Sequence, residues 1–140
     1  MKVYTLVEFL DTNILIYAAS GRPTDRIKSQ IARKLVTQTE LAISVQVLNE
    51  FYAVSRNPRK LDFSHSESIR YCTVWKRFFV VEPTLSLFDA AAEFVKRYEI
   101  TIFDASILAA AQTAGCKIVY SEDLSHEQLY GKVRVINPFL

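Results

Sequence analysis

Four acidic residues in this sequence lie where a carboxylate is costly to place. Asp11 and Asp123 each follow a mainly apolar run, and Asp104 opens a very apolar segment. Glu50 has apolar residues around it at helical spacing, which would place it on the buried face of a helix. Burying an unpaired carboxylate is expensive, whereas several carboxylates gathered at the ends of parallel strands can hold a divalent cation. The four residues therefore predict a metal-dependent enzyme.

The elements that must position these acids alternate between strand-like and helix-like runs, the pattern of an α/β sheet with crossover helices. The chain shows no internal repeat or linker, so we expect one domain over residues 1–140. We predict strands at 5–10, 41–44, 78–81, 117–120 and 133–136, and helices at 13–20, 24–36, 46–56, 84–98 and 104–114. A further helix runs to about residue 77, and either Ser64 or Ser66 could cap it.

The predicted elements would bring the four acids to one edge of the sheet, where ligands bind in open α/β folds. Asp11 and Asp123 each come just after a predicted strand, and Asp104 at a helix N-terminus is favoured by the helix dipole. Asp104 and Glu50 both fall on helix faces that point toward the core. Such carboxylates would repel one another unless cations neutralised them, and hard oxygen ligands favour Mg²⁺ or Mn²⁺ over zinc.

Each acid also has a simpler interpretation when it is taken alone. Asp11 and Asp104 could be the N-caps of the helices that follow them. Asp123 could be a turn residue, and the neighbouring Glu122 competes with it for any role. An inward-facing Glu50 could pair with a buried arginine. The ordered set of four is therefore more informative than any one of its members.

The other polar residues give weaker signals. Asn13 and Ser121 are neutral oxygen donors beside two of the acids, but turn or capping duty explains them as well as metal support does. His65 and His126 show no metal-ligand spacing, so we expect surface or capping roles for them. The basic segment 56–60 could meet phosphates, although a solvated loop explains it equally well.

Composition points to an ordinary cytoplasmic protein. Half of the 140 residues are hydrophobic, and the formal net charge of +2 is too small to indicate a polyanionic partner by itself. Cys72 and Cys116 match no zinc or redox spacing and are expected to be buried, reduced thiols. No apolar run approaches the ~20 residues that span a bilayer, and residues 1–10 are interpreted as containing a strand rather than a signal peptide.

Four short motifs follow one another along the chain: Asp11-Thr12-Asn13, Val47-Leu48-Asn49-Glu50-Phe51, Phe103-Asp104-Ala105-Ser106-Ile107 and Tyr120-Ser121-Glu122-Asp123-Leu124. In this order they resemble the PIN-domain nucleases, and most closely the VapC-type toxins of prokaryotic toxin–antitoxin pairs. The resemblance covers nearly the whole chain. It implies a three-layer α/β/α fold around a mostly parallel sheet, and Mg²⁺- or Mn²⁺-dependent cleavage of RNA.

The same resemblance assigns roles to individual residues and implies two partners. The four acids match the metal-binding and catalytic acids of the family, and two neutral side chains match polar positions beside them. A small antitoxin that covers the site and a homodimer are also implied, although neither follows from composition or periodicity. The residues so assigned are Asp11, Glu50, Asp104 and Asp123 as metal ligands and catalytic residues, with Asn13 and Ser121 in support.

Three other functions are compatible with parts of the pattern. A non-catalytic RNA- or partner-binding module could use the same fold. A haloacid-dehalogenase-like phosphatase would need a second aspartate two residues after Asp11, where this chain has Asn13. A receiver-type signalling domain would need an adjacent acidic pair and a lysine after the last core strand, whereas Lys132 precedes the final strand.

Overall fold

The computed structural model describes residues 7–38 and 40–140, and it confirms the predicted α/β class. Six strands and six helices lie in this part of the chain. The strands are β1 Glu8–Leu10, β2 Leu41–Ser44, β3 Phe79–Val81, β4 Ile118–Tyr120, β5 Leu129–Tyr130 and β6 Val133–Ile136. The helices are α1 Thr12–Ala19, α2 Arg26–Val36, α3 Val45–Arg56, α4 His65–Trp75, α5 Leu85–Tyr98 and α6 Ile102–Thr113.

The strands form one sheet in the order β3-β2-β1-β4-β6-β5, in which every pair except β5–β6 is parallel. Leu10 at the end of β1 pairs with Tyr120 at the end of β4, so the residues that follow these strands emerge side by side. The backbone N–H of Asp11 donates to the carbonyl of Tyr120 over 3.0 Å, which extends this pairing by one residue. The topology thus places Asp11 next to Ser121 at the carboxyl edge.

Strand β5 was not predicted from the sequence. It has only two residues, too few for an alternating pattern, and it returns to β6 through Gly131 in a left-handed conformation with φ of +59°. The other strands were predicted, and β2 and β6 have the predicted bounds. The predicted first strand began at residue 5, and residues 5 and 6 lie outside the described ranges.

The helix starts differ from prediction by one or two residues, and the capping residues of α1 and α6 explain two of these differences. Helix α1 starts at Thr12 because Asp11 is its N-cap, which confirms one simple interpretation of Asp11. Helix α6 starts two residues earlier than predicted because the Thr101 hydroxyl caps it by accepting from the backbone N–H of Asp104. The N-cap interpretation of Asp104 is therefore wrong. Helix α2 starts at Arg26, after a short 3-10 turn at Pro23–Asp25.

The helices pack in two groups around the sheet, which confirms the layered architecture. Helix α1 contacts α2 and α3, α3 contacts α4, and α5 packs along α6, which also contacts β2, β4 and β6. An aromatic cluster around the buried Trp75 joins α3 to α4, as expected of aromatic residues that pack in the core. Cys72 and Cys116 are buried free thiols. Within the described ranges, no helix is both long and apolar enough to span a membrane.

Candidate active site

Asp11 is the most buried of the four acids and lies at the carboxyl edge between β1 and α1. It is only 5% exposed. Its Oδ1 accepts a hydrogen bond of 2.7 Å from the backbone N–H of Thr12, and its Oδ2 accepts one of 2.7 Å from the hydroxyl of Ser121. Asp11 therefore caps α1 with one carboxylate oxygen, and its other carboxylate oxygen accepts a hydrogen bond from Ser121, which directly follows β4.

The surroundings of Asp11 oppose its ionisation. Burial raises the pKa of Asp11 from 3.8 to about 6, although the hydrogen bonds from Ser121 and Thr12 favour the charged form. The negative charges of Asp123 and Glu50 raise this pKa further. Asp11 thus lies close enough to two other acids to interact with them electrostatically, as the sequence predicted.

Glu50 is half-buried on α3 and faces α1. Its Oε2 accepts from the Thr12 hydroxyl over 2.8 Å, and its Oε1 accepts from the Gln46 amide over 2.9 Å. The same amide of Gln46 lies 3.2 Å from the carbonyl of Phe103, where α6 begins. These contacts hold the Glu50 carboxylate with neutral donors, so the alternative pairing with a buried arginine is wrong.

Asp104 is the third residue of α6 and is partly buried. Burial raises its pKa above 3.8, and the charges of Asp123 and Glu50 raise it further, against the opposing effect of the Thr101 hydroxyl. Its position in the first helical turn is favoured by the helix dipole. Asp104 therefore shares the same electrostatic environment as Asp11, although the two residues come from different ends of the chain.

Asp123 is exposed and is joined to the site by neutral side chains. The Asn13 amide donates to Asp123 Oδ2 over 3.1 Å and lies 3.5 Å from Asp11 Oδ2, so one amide bridges two acids. The backbone N–H of Asp123 donates to the hydroxyl of Ser121 over 3.1 Å. Asn13 and Ser121, predicted as supporting residues, both lie between these two acids.

Glu122 points away from this group. The hydroxyl of Tyr17 donates to Glu122 Oε1 over 2.7 Å, and the ammonium of Lys28 lies 2.8 Å from Glu122 Oε2. Lys28 also lies 4.9 Å from the centre of the Tyr17 ring. Glu122 is thus neutralised by an ion pair, whereas Asp123 is not.

The donors at this edge suit a hard divalent cation by type, because they are carboxylate, hydroxyl and amide oxygens. Neither of the two ion pairs in the described ranges includes Asp11, Glu50, Asp104 or Asp123, so their negative charge is not offset by a cationic side chain. Among residues 7–38 and 40–140, however, no three His, Cys, Asp or Glu side chains stand close enough to form a metal-binding group. The neutral donors Thr12, Gln46 and Asn13 contact the acids instead.

A cleft of about 280 Å³ adjoins these acids and is lined by three kinds of side chain. Acidic and neutral polar residues line the part next to the start of α1. Apolar side chains follow along both helices, and two basic side chains lie beyond the helix ends. The polar and acidic part is lined by Thr12, Asn13, Glu50, Glu122 and Asp123. The apolar part is lined by Ile16, Tyr17, Val54 and Leu61, and the basic part by Arg22 and Lys60, with Asp25 beside them.

Fold and site together define a domain with acids gathered at the carboxyl edge of a parallel sheet. The PIN domain family matches residues 9–132, and this chain belongs to that family. The haloacid-dehalogenase-like and receiver-type alternatives do not fit this membership. No curated protein sequence matches the chain significantly.

Solved structures share the fold at low sequence identity. VapC20 of Mycobacterium tuberculosis, described as a sarcin-ricin loop cleaving toxin, is 18% identical, with a TM-score of 0.66 over 83% of this chain and 89% of that one. A chain of a toxin–antitoxin complex from Klebsiella pneumoniae is 20% identical, with a TM-score of 0.71 over 94% of this chain and 97% of that one. A chain of VapBC2 from Rickettsia felis, bound to a promoter DNA fragment, is 18% identical, with a TM-score of 0.65 over 93% of this chain and 97% of that one.

Three side chains that the sequence analysis did not single out contact the acids. Thr12 lies inside the first motif, but its hydroxyl reaches Glu50 across 38 residues of chain, which sequence spacing cannot indicate. Gln46 precedes Glu50 by four residues, a spacing that places both on one helix face and could have signalled the contact. Lys28 on α2 neutralises Glu122, and nothing in the sequence around Lys28 indicates this contact.

Proposed function

We propose that this chain is a divalent-metal-dependent endoribonuclease that uses Mg²⁺ or Mn²⁺ to cleave RNA phosphodiester bonds. The observation that carries the proposal is that the charges of Glu50 and Asp123 act on both Asp11 and Asp104 at one edge of a PIN fold. Burial and mutual repulsion raise the pKa values of Asp11 and Asp104, so a cation at this edge would relieve an unfavourable concentration of charge.

In this proposal Asp11 and Asp104 are the principal metal ligands, and Glu50 and Asp123 complete the set. A bound cation would supply an activated water and would offset negative charge on the scissile phosphate. The residues that surround the acids fix their orientation: the Ser121 hydroxyl holds Asp11. The Thr12 hydroxyl and the Gln46 amide hold Glu50 in the same way. Because Glu122 is neutralised by Lys28, we propose Asp123 as the fourth acid.

A cleavage assay on total RNA tests the enzymatic proposal. We expect cleavage that requires Mg²⁺ or Mn²⁺ and that falls by at least about 100-fold in Asp104→Asn and in Asp11→Asn, because each variant removes a charged ligand. Asp89→Asn changes an exposed carboxylate on α5 and serves as the matched control with unchanged activity. Full activity in Asp104→Asn would refute the assignment of the site.

We further propose that the chain is the toxin of a type II toxin–antitoxin pair, acting in the cytoplasm as a homodimer with a small antitoxin as partner. The proposal draws on the likeness to solved VapC and VapBC structures, which share the fold. Expression of this chain without the gene that neighbours it should arrest growth. Growth should be restored when that gene is co-expressed, or when the Asp11→Asn variant is expressed in place of the wild type. Light scattering of the purified chain measures the expected dimer, and arrest that persists in Asp11→Asn would contradict the toxin mechanism.

A non-catalytic RNA- or partner-binding module is the second candidate. It is favoured by one observation, that no three acids in the described ranges form a metal-binding group. Calorimetric titration with Mn²⁺, followed by the same cleavage assay, separates the two functions. Binding of RNA without any metal-dependent cleavage would support the module and refute the nuclease.

A further inference from the structure

Helices α1 and α3 run beside each other from the acidic edge and form two walls of the cleft. Both begin where parallel strands end, and the first turn of α1 carries Thr12 and Asn13, which contact Asp11. The eight residues of α1 extend about 12 Å at 1.5 Å per residue. The residues just past the ends of α1 and α3 therefore line the cleft at a distance of about two helical turns from the acids.

Two cationic side chains occupy these positions past the helix ends. Arg22 follows α1 and Lys60 follows α3, and both are exposed. The Arg22 guanidinium donates to the carbonyl of Arg59 over 3.3 Å, which ties the two loops together across the cleft. Neither Arg22 nor Lys60 forms an ion pair with any residue of the described ranges, so both charges are available to an anionic ligand.

The wall between the acids and the cations is largely apolar. Ile16 on α1, Val54 on α3 and Leu61 in the following loop line this part of the cleft. A nucleotide has the same distribution of chemistry, with an apolar base face and sugar edge next to a charged phosphate. The cleft volume of about 280 Å³ is near the lower end of the range for small-ligand sites, which suits one nucleotide unit of a longer chain.

We propose that this cleft is a subsite for the nucleotide that flanks the scissile phosphodiester. The phosphate of that nucleotide contacts Arg22 and Lys60, and its sugar and base lie against Val54 and Leu61. The inference rests on the proposed nuclease function for the position of the cut, but the contacts to RNA depend only on the cleft. Asp25 faces the same cleft, where its Oδ2 accepts from the Ser20 hydroxyl over 2.6 Å, and its charge opposes the binding of a phosphate.

RNA binding in EDTA tests the subsite separately from catalysis, because no metal is present to support cleavage. The probe is a fluorescein-labelled single-stranded RNA of mixed sequence and about 12 nucleotides. We expect Arg22→Gln and Lys60→Gln each to weaken binding about fivefold. Each should also lower the slope of log Kd against log salt concentration by about 0.7, the value for one phosphate contact to a single strand.

Four variants control this measurement. Arg26→Gln and Lys76→Gln remove exposed cations that do not line the cleft and should leave the affinity close to that of the wild type. Asp25→Asn removes the opposing charge and should tighten binding about twofold. Leu61→Ala should weaken binding with no change in the salt slope, because it removes an apolar contact and no charge. Thermal unfolding of each variant verifies that it is folded.

The outcomes separate this inference from the nuclease proposal. If Arg22→Gln and Lys60→Gln bind RNA as the controls do, the subsite is refuted even when metal-dependent cleavage is present. If their affinity falls as expected but the wild type never cleaves RNA, the RNA-binding role of the cleft is supported and the nuclease proposal fails. Unchanged RNA affinity together with weaker binding of a labelled polyglutamate peptide would assign the two cations to an acidic protein segment, and would overturn the inference.

Discussion

Replacement of Asp11 by asparagine should stabilise the metal-free protein at neutral pH. The pKa of Asp11 is about 6 in the folded chain, against 3.8 for a solvated carboxyl group. The folded state therefore binds more protons than the unfolded state between these values, so the free energy of unfolding falls as the pH rises through this window. At 1.36 kcal/mol per pH unit, ionised Asp11 costs about 3 kcal/mol at pH 8 relative to its neutral form.

Asparagine resembles the neutral form of Asp11 and can still cap α1. In EDTA, urea unfolding should show Asp11→Asn to be about 2–3 kcal/mol more stable than the wild type at pH 8, with the difference vanishing near pH 4. Asp89→Asn, at an exposed position on α5, should show no such pH-dependent gain. Equal or lower stability of Asp11→Asn at pH 8, or a gain that does not depend on pH, would refute the electrostatic account of the site.

Addition of Mn²⁺ extends the same experiment to the proposed cofactor. A cation that binds the folded chain alone stabilises it by RT ln(1 + [L]/Kd), which is about 2.7 kcal/mol at a hundred times Kd. The wild type should gain this stability, and Asp11→Asn should gain much less because it lacks a charged ligand. Identical gains in both proteins would place the cation elsewhere.

Three further changes probe the residues that support the site. Ser121→Ala removes the buried hydroxyl that donates to Asp11, so we expect a loss of about 2 kcal/mol at pH 8, measured by urea unfolding. Thr101→Ala removes the cap of α6 and should cost about 1 kcal/mol and reduce RNA cleavage, because it loosens the helix start that carries the third acid. Gly131→Ala should lower the melting temperature, because φ is +59° and the added Cβ would lie 3.3 Å from the ring of Phe94.

Local sequence patterns predicted the elements of this fold well because hydrophobic periodicity reports which side of an element is buried. The bounds of β6, whose side chains alternate between buried and exposed, were predicted correctly for this reason, and those of β2 were predicted from a short, largely apolar run that is buried throughout. The start of α6 was missed because an aspartate and a threonine three residues apart are both acceptable caps, and only the observed hydrogen bond from Asp104 to Thr101 decides between them. Strand β5 was missed because two residues carry no period.

The sequence offered candidate residues for the site, but it could not predict the contacts between them. Consecutive motifs placed Asp11 and Asn13 together, and the parallel sheet brought Ser121 beside them. The direction of the Glu50 side chain depends on Thr12, which is distant in sequence and adjacent only through the packing of α1 on α3. Such contacts are set by tertiary structure, so the closeness of the acids in space could not be derived from their spacing in the chain.

The ion pair between Lys28 and Glu122 gives two adjacent acids different electrostatic surroundings. A carboxylate that is paired with an ammonium at 2.8 Å gains little from a second cation, because its charge is already offset. Asp123 lacks such a partner in the described ranges, and its charge raises the pKa of both Asp11 and Asp104. Asp123 and Glu50 therefore both couple electrostatically to Asp11 and Asp104, even though Asp123 is the most exposed of the four acids.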